Sequence, residues 1–293
     1  MKNSNSIWKD TSIEHIDIKS GNNRCIIIIP VYKNKLGCFE EASLKQVTKI
    51  FGGKYELTLL CPMSLDVSIY NKTADYNFSI LRCANEYFKS QRSYSDLCEE
   101  WRFYDALSEY EYMVIYQLDA WVFDDRLEYF LNAGYDYIGA PHLVGVGSRP
   151  EGENGNGGFC LRRIKPFIDV CKKTDFSQYK MLEDCVFTGT SLKSNFNLAP
   201  LKLCREFSFQ EYPEMQFAKN GNKLPMGCHA FRKFNERFWK LHIPVYSNIA
   251  KYNTEEAQKN KCLLESMYCG CSDAQRTARL HSFKKRVIKK RYH

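Results

Sequence analysis

No run in this sequence stays apolar for the roughly 20 residues that a membrane-spanning helix needs, and its first twenty residues, MKNSNSIWKDTSIEHIDIKS, are polar throughout. Neither a spanning helix nor a basic-apolar secretory leader is readable, which predicts cytoplasmic residence. Paired cysteines are also missing. The thirteen Cys stand mostly alone, and the one close group, Cys262, Cys269 and Cys271 in KCLLESMYCGC, has neither the CxxC spacing nor the histidines of a zinc site. Without export signals, reduced thiols are expected rather than a disulfide framework. A phosphate-cradling loop is lacking too, since neither GxGxxG nor GxxxxGK[ST] follows a strand. Net charge is absent from most of the chain: up to Gln275 there are 34 basic and 34 acidic residues, and the whole +8 excess lies in RTARLHSFKKRVIKKRYH, Arg276 to His293.

What is present is material for a core. The 293 residues are 44% apolar and 14% aromatic, enough for one large domain with an appendage. CIIIIPVYKN reads as a buried parallel strand stopped by Pro30, followed by a helix from about Cys38 to Phe51 that ends at Gly52-Gly53. YELTLLCP is a second such strand. A helical stretch around Tyr94 to Ser108 precedes a third strand, YMVIYQLDAWVFDD. This alternation predicts an α/β fold with a mostly parallel central sheet flanked by helices on both faces. GYDYIGAP reads as a further short strand and turn. Six of the sixteen glycines lie between Gly145 and Gly158, which marks a loop running into a tight backbone passage. FCLRR returns as a strand, MLEDCVF is helical, and FNLAPLKLCREFSFQEYP reads as strand and loop. The organisation expected is a polar lead-in over 1–23, one α/β domain over 24–250, and a helical basic extension over 251–293.

In such sheets ligands bind beyond the carboxyl ends of the strands. That singles out Pro30, Val31 and Tyr32 after the first strand and Asp119 after the third. Asp119 alone is as well explained by a helix or turn cap. Glu183 and Asp184 at a helix start are otherwise ordinary partners of the helix dipole, His229 in GCHAF an ordinary half-buried histidine, and Gly157-Gly158 the tip of a hairpin.

The order of QLDAWVF, YDYIGAP, NGGFCLRR, LEDCVF and LPMGCHAF along the chain resembles domain-of-unknown-function family 5672, whose members have a GT-A-like, Rossmann-like glycosyltransferase fold. The resemblance spans about Arg24 to Trp239, and NGGFCLRR and YDYIGAP are its specific parts. It implies a nucleotide-sugar-dependent transferase, with a divalent cation, Mn²⁺ or Mg²⁺, on the donor diphosphate. The Asp-x-Asp motif of GT-A enzymes is incomplete here, because residues 119–121 read Asp-Ala-Trp. Asp124 and Asp125 follow within reach or serve as turn and cap residues. The resemblance implies three roles for Asp119, ligating the metal with His229, touching the donor ribose or base, or serving without a metal, and it implies Asp184, with Glu183 as its substitute, as the general base of an inverting reaction. The donor would lie against Pro30, Val31, Tyr32, Arg92, Asp119 and Trp121. Asn156, Gly157, Gly158 and Arg162 would line the sugar, Arg162 also being able to pair with donor phosphate or the Glu183-Asp184 couple.

The basic tail carries Leu280, Phe283 and Val287 on one helical face, the pattern of a segment lying on an anionic membrane surface. That suits a lipid-linked acceptor in surface-polysaccharide or glycoconjugate assembly. A solvated tail is the alternative, and no nucleic-acid recognition module appears. Two other functions compete with sugar transfer: a sugar-binding scaffold on a transferase fold, for which the missing second acid speaks, and a sugar nucleotidyltransferase, which lacks its glycine-rich loop after the first strand.

Overall fold

The computed structural model describes residues 12–14, 24–142, 153–189 and 192–246. The chain divides into two compact units, Met1–Ile243 and Pro244–His293. Of the second, only residues 244–246 are described, so the expected basic helix and Cys262, Cys269 and Cys271 lie outside the described residues.

The strands are β1 (Ser12–Glu14), β2 (Cys25–Pro30), β3 (Glu56–Pro62), β4 (Ser79–Cys83), β5 (Tyr112–Tyr116), β6 (Trp121–Val122), β7 (Tyr137–Gly139), β8 (Pro141–His142), β9 (Glu153–Asn154), β10 (Phe159–Arg163), β11 (Ser208–Phe209) and β12 (Gly227–Cys228). The helices used below are α1 (Cys38–Phe51), α2 (Gln91–Cys98), α3 (Trp101–Asp105), α4 (Ile164–Lys173), α5 (Glu183–Thr188), α6 (Leu201–Phe207), α7 (Pro213–Lys219) and α8 (Glu236–Trp239).

Seven strands form the main sheet in the order β1-β4-β3-β2-β5-β10-β7. β2, β3, β4 and β5 pair in parallel, and β10 runs antiparallel between β5 and β7, so β7 shares the parallel direction. Five strands therefore point one way. Every residue of β2 is buried, and its period of two divides the run between two cores: Ile27 and Ile29 pack with Leu44, Val47 and Phe51 of α1, Ile26 and Ile28 with Phe103 and Tyr104 of α3 and Phe167 of α4. Each such side chain stabilises the fold by about 1.5–3 kcal/mol. Helices on both faces are thus what the continuous aliphatic strands require.

From β2 the chain moves outward through β3 to β4, then returns to place β5 on the other side of β2. The crevice where that order reverses opens at the carboxyl ends of β2 and β5. A second, three-stranded sheet, β11-β12-β6, stands just beyond it.

Two local expectations need correction. The helix expected over Tyr94 to Ser108 is two helices, broken at Glu99-Glu100, where the Glu100 carboxylate accepts the Arg102 N–H and caps the second. FNLAPLKLCREFSFQEYP contains helix α6, whose Leu203, Cys204 and Phe207 recur at helical spacing and are buried; the apolar content read as strand is a helix face.

Candidate active site

β5 ends at Tyr116, and the next three residues enter the crevice. Gln117 donates its N–H to the Gly158 carbonyl oxygen at 2.9 Å, continuing the β5–β10 ladder in which Tyr116 faces Phe159. Asp119 follows with its side chain 53% exposed. β6 then pairs antiparallel with β12, Trp121 opposite Cys228. That register carries His229, the residue after Cys228, back beside Asp119.

The imidazole is held from both ends. Its Nδ1 lies 2.7 Å from Gln210 Oε1, and its Nε2 lies 3.1 Å from Asp119 Oδ1 and 3.2 Å from Gln117 Oε1. An Nδ1–H donated to Gln210 leaves the Nε2 lone pair facing two oxygens. Three electron-rich atoms then converge, an arrangement that a proton on Nε2 or a cation between them relieves. Desolvation opposes the charge on Asp119, but with a proton on Nε2 His229, and beyond it Lys33, outweigh that effect and hold its carboxyl below the ordinary 3.8.

The donor set suits a hard divalent cation. Ligands bound at about 2.1 Å in an octahedral shell stand about 3 Å apart, close to the separations seen here, and Gln210 on Nδ1 occupies the place that an outer partner takes behind a ligating histidine. Among the described residues no group of three His, Cys, Asp or Glu side chains could hold a metal ion; here the third donor is an amide oxygen.

Gly157 and Gly158 join this cluster to a second one. A Cβ on Gly158 would stand 2.1 Å from His229 Nε2, and one on Gly157 would meet Glu183 Oε1 at 3.0 Å and Asp184 Cβ at 3.1 Å. The backbone is thus sandwiched between the imidazole and the acidic pair: glycine at 158 is a steric requirement of the site, and a side chain at 157 would need the acidic pair to give way by a few tenths of an ångström. Asn156 Oδ1 accepts the Gly158 N–H at 3.0 Å and shapes the turn. Asp184 receives the Gly157 N–H on Oδ2 at 3.2 Å and the Cys185 N–H on Oδ1 at 2.7 Å. Two backbone donors orient this half-buried carboxylate and leave it lone pairs for a further partner.

Glu183 is committed elsewhere. It is buried, its Oε1 pairs with Arg162 Nη2 at 3.0 Å, and its Oε2 accepts the Ser95 hydroxyl at 2.8 Å. Arg162 is 0% exposed. Its Nη1 donates to Tyr104 Oη at 2.8 Å, and its guanidinium lies over the rings of Tyr137, Phe167 and Phe187.

The residues singled out in the sequence are therefore only partly brought together. Asp119, His229, Asn156, Gly157, Gly158 and Asp184 form one continuous group. Arg162 stands behind the acidic pair with no surface for a sugar. Arg92 directs its guanidinium to Asp96 at 2.9 Å, to Glu99 and to the Met181 carbonyl. Trp121 is 6% exposed and packs edge-on against Phe231, and Pro30 and Val31 are in the core, leaving the 58% exposed Tyr32 as the one side chain of that trio turned outward. Asp124 pairs with Arg126, and Asp125 with Lys54, each at 2.7 Å. Gln117 and Gln210 escaped sequence reasoning. Gln117 had a legible signal, a polar residue two places before Asp119 at the end of a buried strand. Gln210 had none, because its partner lies across a sheet of two-residue strands.

Solved structures with a similar arrangement include glycosyltransferases and a 4-diphosphocytidyl-2C-methyl-D-erythritol synthase, the latter 12% identical over 56% of this chain and 80% of its own, TM-score 0.38. The galactosyltransferase LgtC, in complex with donor and acceptor sugar analogs, is 14% identical over 69% of this chain and 86% of its own, with a TM-score of 0.48. Mouse xyloside xylosyltransferase 1 is 12% identical over 70% of this chain and 96% of its own, TM-score 0.45. GlyE of Streptococcus pneumoniae is 13% identical over 71% of this chain but only 54% of its own, TM-score 0.45. Likeness of this degree carries no argument about activity, which rests on the residues themselves. No curated protein matches the chain in sequence. Residues 77–229, more than half of the chain, match the family described as Protein of unknown function (DUF5672), and the chain belongs to that family.

Proposed function

We propose that the chain is a glycosyltransferase that moves a sugar from a nucleotide-sugar donor, a UDP-sugar by preference, to a hydroxyl of a glycan or lipid-linked acceptor, with inversion at the anomeric carbon. The supporting observation is the sandwich at Gly157-Gly158, with a cation-type donor set of Gln117, Asp119 and His229 on one side and the oriented carboxylate of Asp184 on the other. An inverting transfer needs a charge-neutralising site at the departing diphosphate and a base on the opposite face of the sugar.

Gln117, Asp119 and His229 would hold Mn²⁺ or Mg²⁺, which supplies neutralising charge to the diphosphate oxygens. Gln210 keeps the imidazole turned so that Nε2 faces that position. The side-chain-free backbone at 157–158 admits the donor sugar closely, and exposed Tyr32 at the end of β2 offers a ring to the base. Asp184 Oδ takes the proton of the acceptor hydroxyl as its oxygen bonds to the anomeric carbon. The anomeric carbon–phosphate oxygen bond breaks at the same time, and the nucleoside diphosphate leaves with the electron pair. Glu183 and Arg162 fix the start of α5 and so the aim of Asp184. A role in surface-polysaccharide or glycoconjugate assembly, and peripheral attachment to the inner membrane face through Arg276–His293, extend this reading.

Asp184→Asn tests it. Loss of transfer by about 10²–10⁴-fold, with nucleotide-sugar binding retained, is the expected outcome. Unaltered protein that binds a nucleotide sugar and never turns it over would instead establish the sugar-binding scaffold, a reading that Trp121 in place of the second acid of Asp-x-Asp favours.

A further inference from the structure

Two chain segments leave the small sheet side by side. After β11, Gln210 leads into Glu211, Tyr212 and α7; after β12, His229 leads into a turn in which Lys233 and Phe234 both donate N–H groups to the Ala230 carbonyl, at 2.8 and 3.1 Å. Between them lies a cavity of about 380 Å³ lined by Glu211, Tyr212, Glu214, Lys233, Phe234 and Asn235. Gln210 and His229 are hydrogen-bonded to each other, so the cavity wall begins one residue, about 3.8 Å of chain, beyond the imidazole's partner.

We propose that this cavity seats a sugar ring of an extended acceptor glycan, distinct from the ring whose hydroxyl meets Asp184. The inference rests on the glycosyl-transfer reading and adds a second sugar position to it. Its volume falls in the range of small-ligand sites, about 300–1,000 Å³. The lining joins an aromatic face to ionised hydrogen-bonding groups, and a pyranose presents the matching pair, an apolar face of C–H bonds and a rim of hydroxyls. Tyr212 is 56% exposed. Two carboxylates against one ammonium disfavour a phosphate here, which separates the cavity from the diphosphate and assigns it to a neutral sugar.

The backbone holds this aromatic ring in an uncommon way. Tyr212 has φ 46° and ψ 57°, a left-handed conformation rare for a bulky side chain and further disfavoured before Pro213. Asn235, on the facing segment, has φ 47° and donates its amide to Glu214 Oε1. Residues kept in such regions concentrate at ligand clamps.

Saturation-transfer NMR on the full chain, with methyl β-galactopyranoside, methyl β-glucopyranoside and methyl α-mannopyranoside as probes, tests the assignment. The expected result is transfer to the ring protons of at least one glycoside, with affinity about tenfold weaker in Tyr212→Ala. Glu214→Gln, which keeps the side chain's size and an oxygen for Asn235, should also weaken binding while leaving the melting temperature unchanged. Equal binding in wild type and Tyr212→Ala, or no transfer to any probe, would overturn the proposal. A separate melt with UDP-glucose and Mn²⁺ keeps the two readings apart: a shift with no glycoside binding defeats the cavity alone, and glycoside binding at Tyr212 without any nucleotide-sugar shift defeats only the donor.

Discussion

At the scale of single residues the site turns on Gly158, whose missing side chain is the space that His229 occupies. Gly158→Ala places a methyl group 2.1 Å from His229 Nε2, which neither backbone nor ring can absorb in place. The expected effect is loss of Mn²⁺-dependent stabilisation, read as the melting-temperature difference with and without the ion; an undiminished difference would show that the imidazole is not a ligand. Gln117 gives a graded version of the same test. Gln117→Ala removes one oxygen donor and should weaken Mn²⁺ binding by about tenfold or more, whereas Gln117→Asp adds a charge and should strengthen it. Asp119 contributes through pH. Its folded-state carboxyl is depressed, so its share of stability is present above the ordinary 3.8 and is lost as pH falls through the lower folded value. Asp119→Asn should flatten the acid limb of a melting-temperature profile below about pH 4. Asp119 stood out because it follows an apolar strand in an α/β chain, whereas His229 was singled out by the family resemblance alone. The amide two places earlier was overlooked because an Asp-x-Asp pattern directs the search forward from Asp119, whereas the chain supplies its second oxygen from behind.

Among elements, α5 is held by a charge taken out of water. Arg162 is 0% exposed and Glu183 is 6% exposed, and their ion pair spans β10 and α5. Removing one partner strands the other, so Arg162→Met should destabilise the fold by about 3–5 kcal/mol, and adding Glu183→Met should restore most of that loss. Calorimetric melting of both variants decides it; a double variant no better than the single one would mean that the pair is not a closed unit. The neighbouring break between α2 and α3 carries a second buried acid. Desolvation pushes Glu99 up to about 7 against the pull of Arg92. A raised folded value makes stability greatest below the ordinary 4.5 and progressively lower as pH rises towards 7. Glu99→Gln should remove that decline between about pH 5 and 7. Sequence periodicity revealed the parallel strands and α1 because a continuous aliphatic run has few other solutions. It misread α6 and the α2–α3 break, where short helices are set by a capping carboxylate and by packing against distant strands.

For the whole molecule, the decisive geometry is the reversal of strand order between β2 and β5, which opens one crevice, and the return of β12 to its rim. The first feature follows from the order of buried strands and could be anticipated. The second depends on pairings of two residues each and is invisible to any pattern of hydrophobicity. No helix among the described residues is long and apolar enough to cross a membrane. Attachment through the basic tail therefore has its own test: the full chain should sediment with vesicles containing phosphatidylserine at low salt and be released as ionic strength rises. Binding that is insensitive to salt, or equal on neutral vesicles, would remove the electrostatic basis for it.

The most direct test of the site as a whole is calorimetric titration of the full chain with UDP-, GDP-, CMP- and dTDP-sugars, with and without Mn²⁺, on wild type, His229→Ala and Asp184→Asn. The expected result is one nucleotide sugar bound in a Mn²⁺-dependent manner by wild type and Asp184→Asn, with that dependence abolished in His229→Ala. Binding of the same strength with and without Mn²⁺ in all three proteins, or no nucleotide sugar bound by any of them, would contradict it.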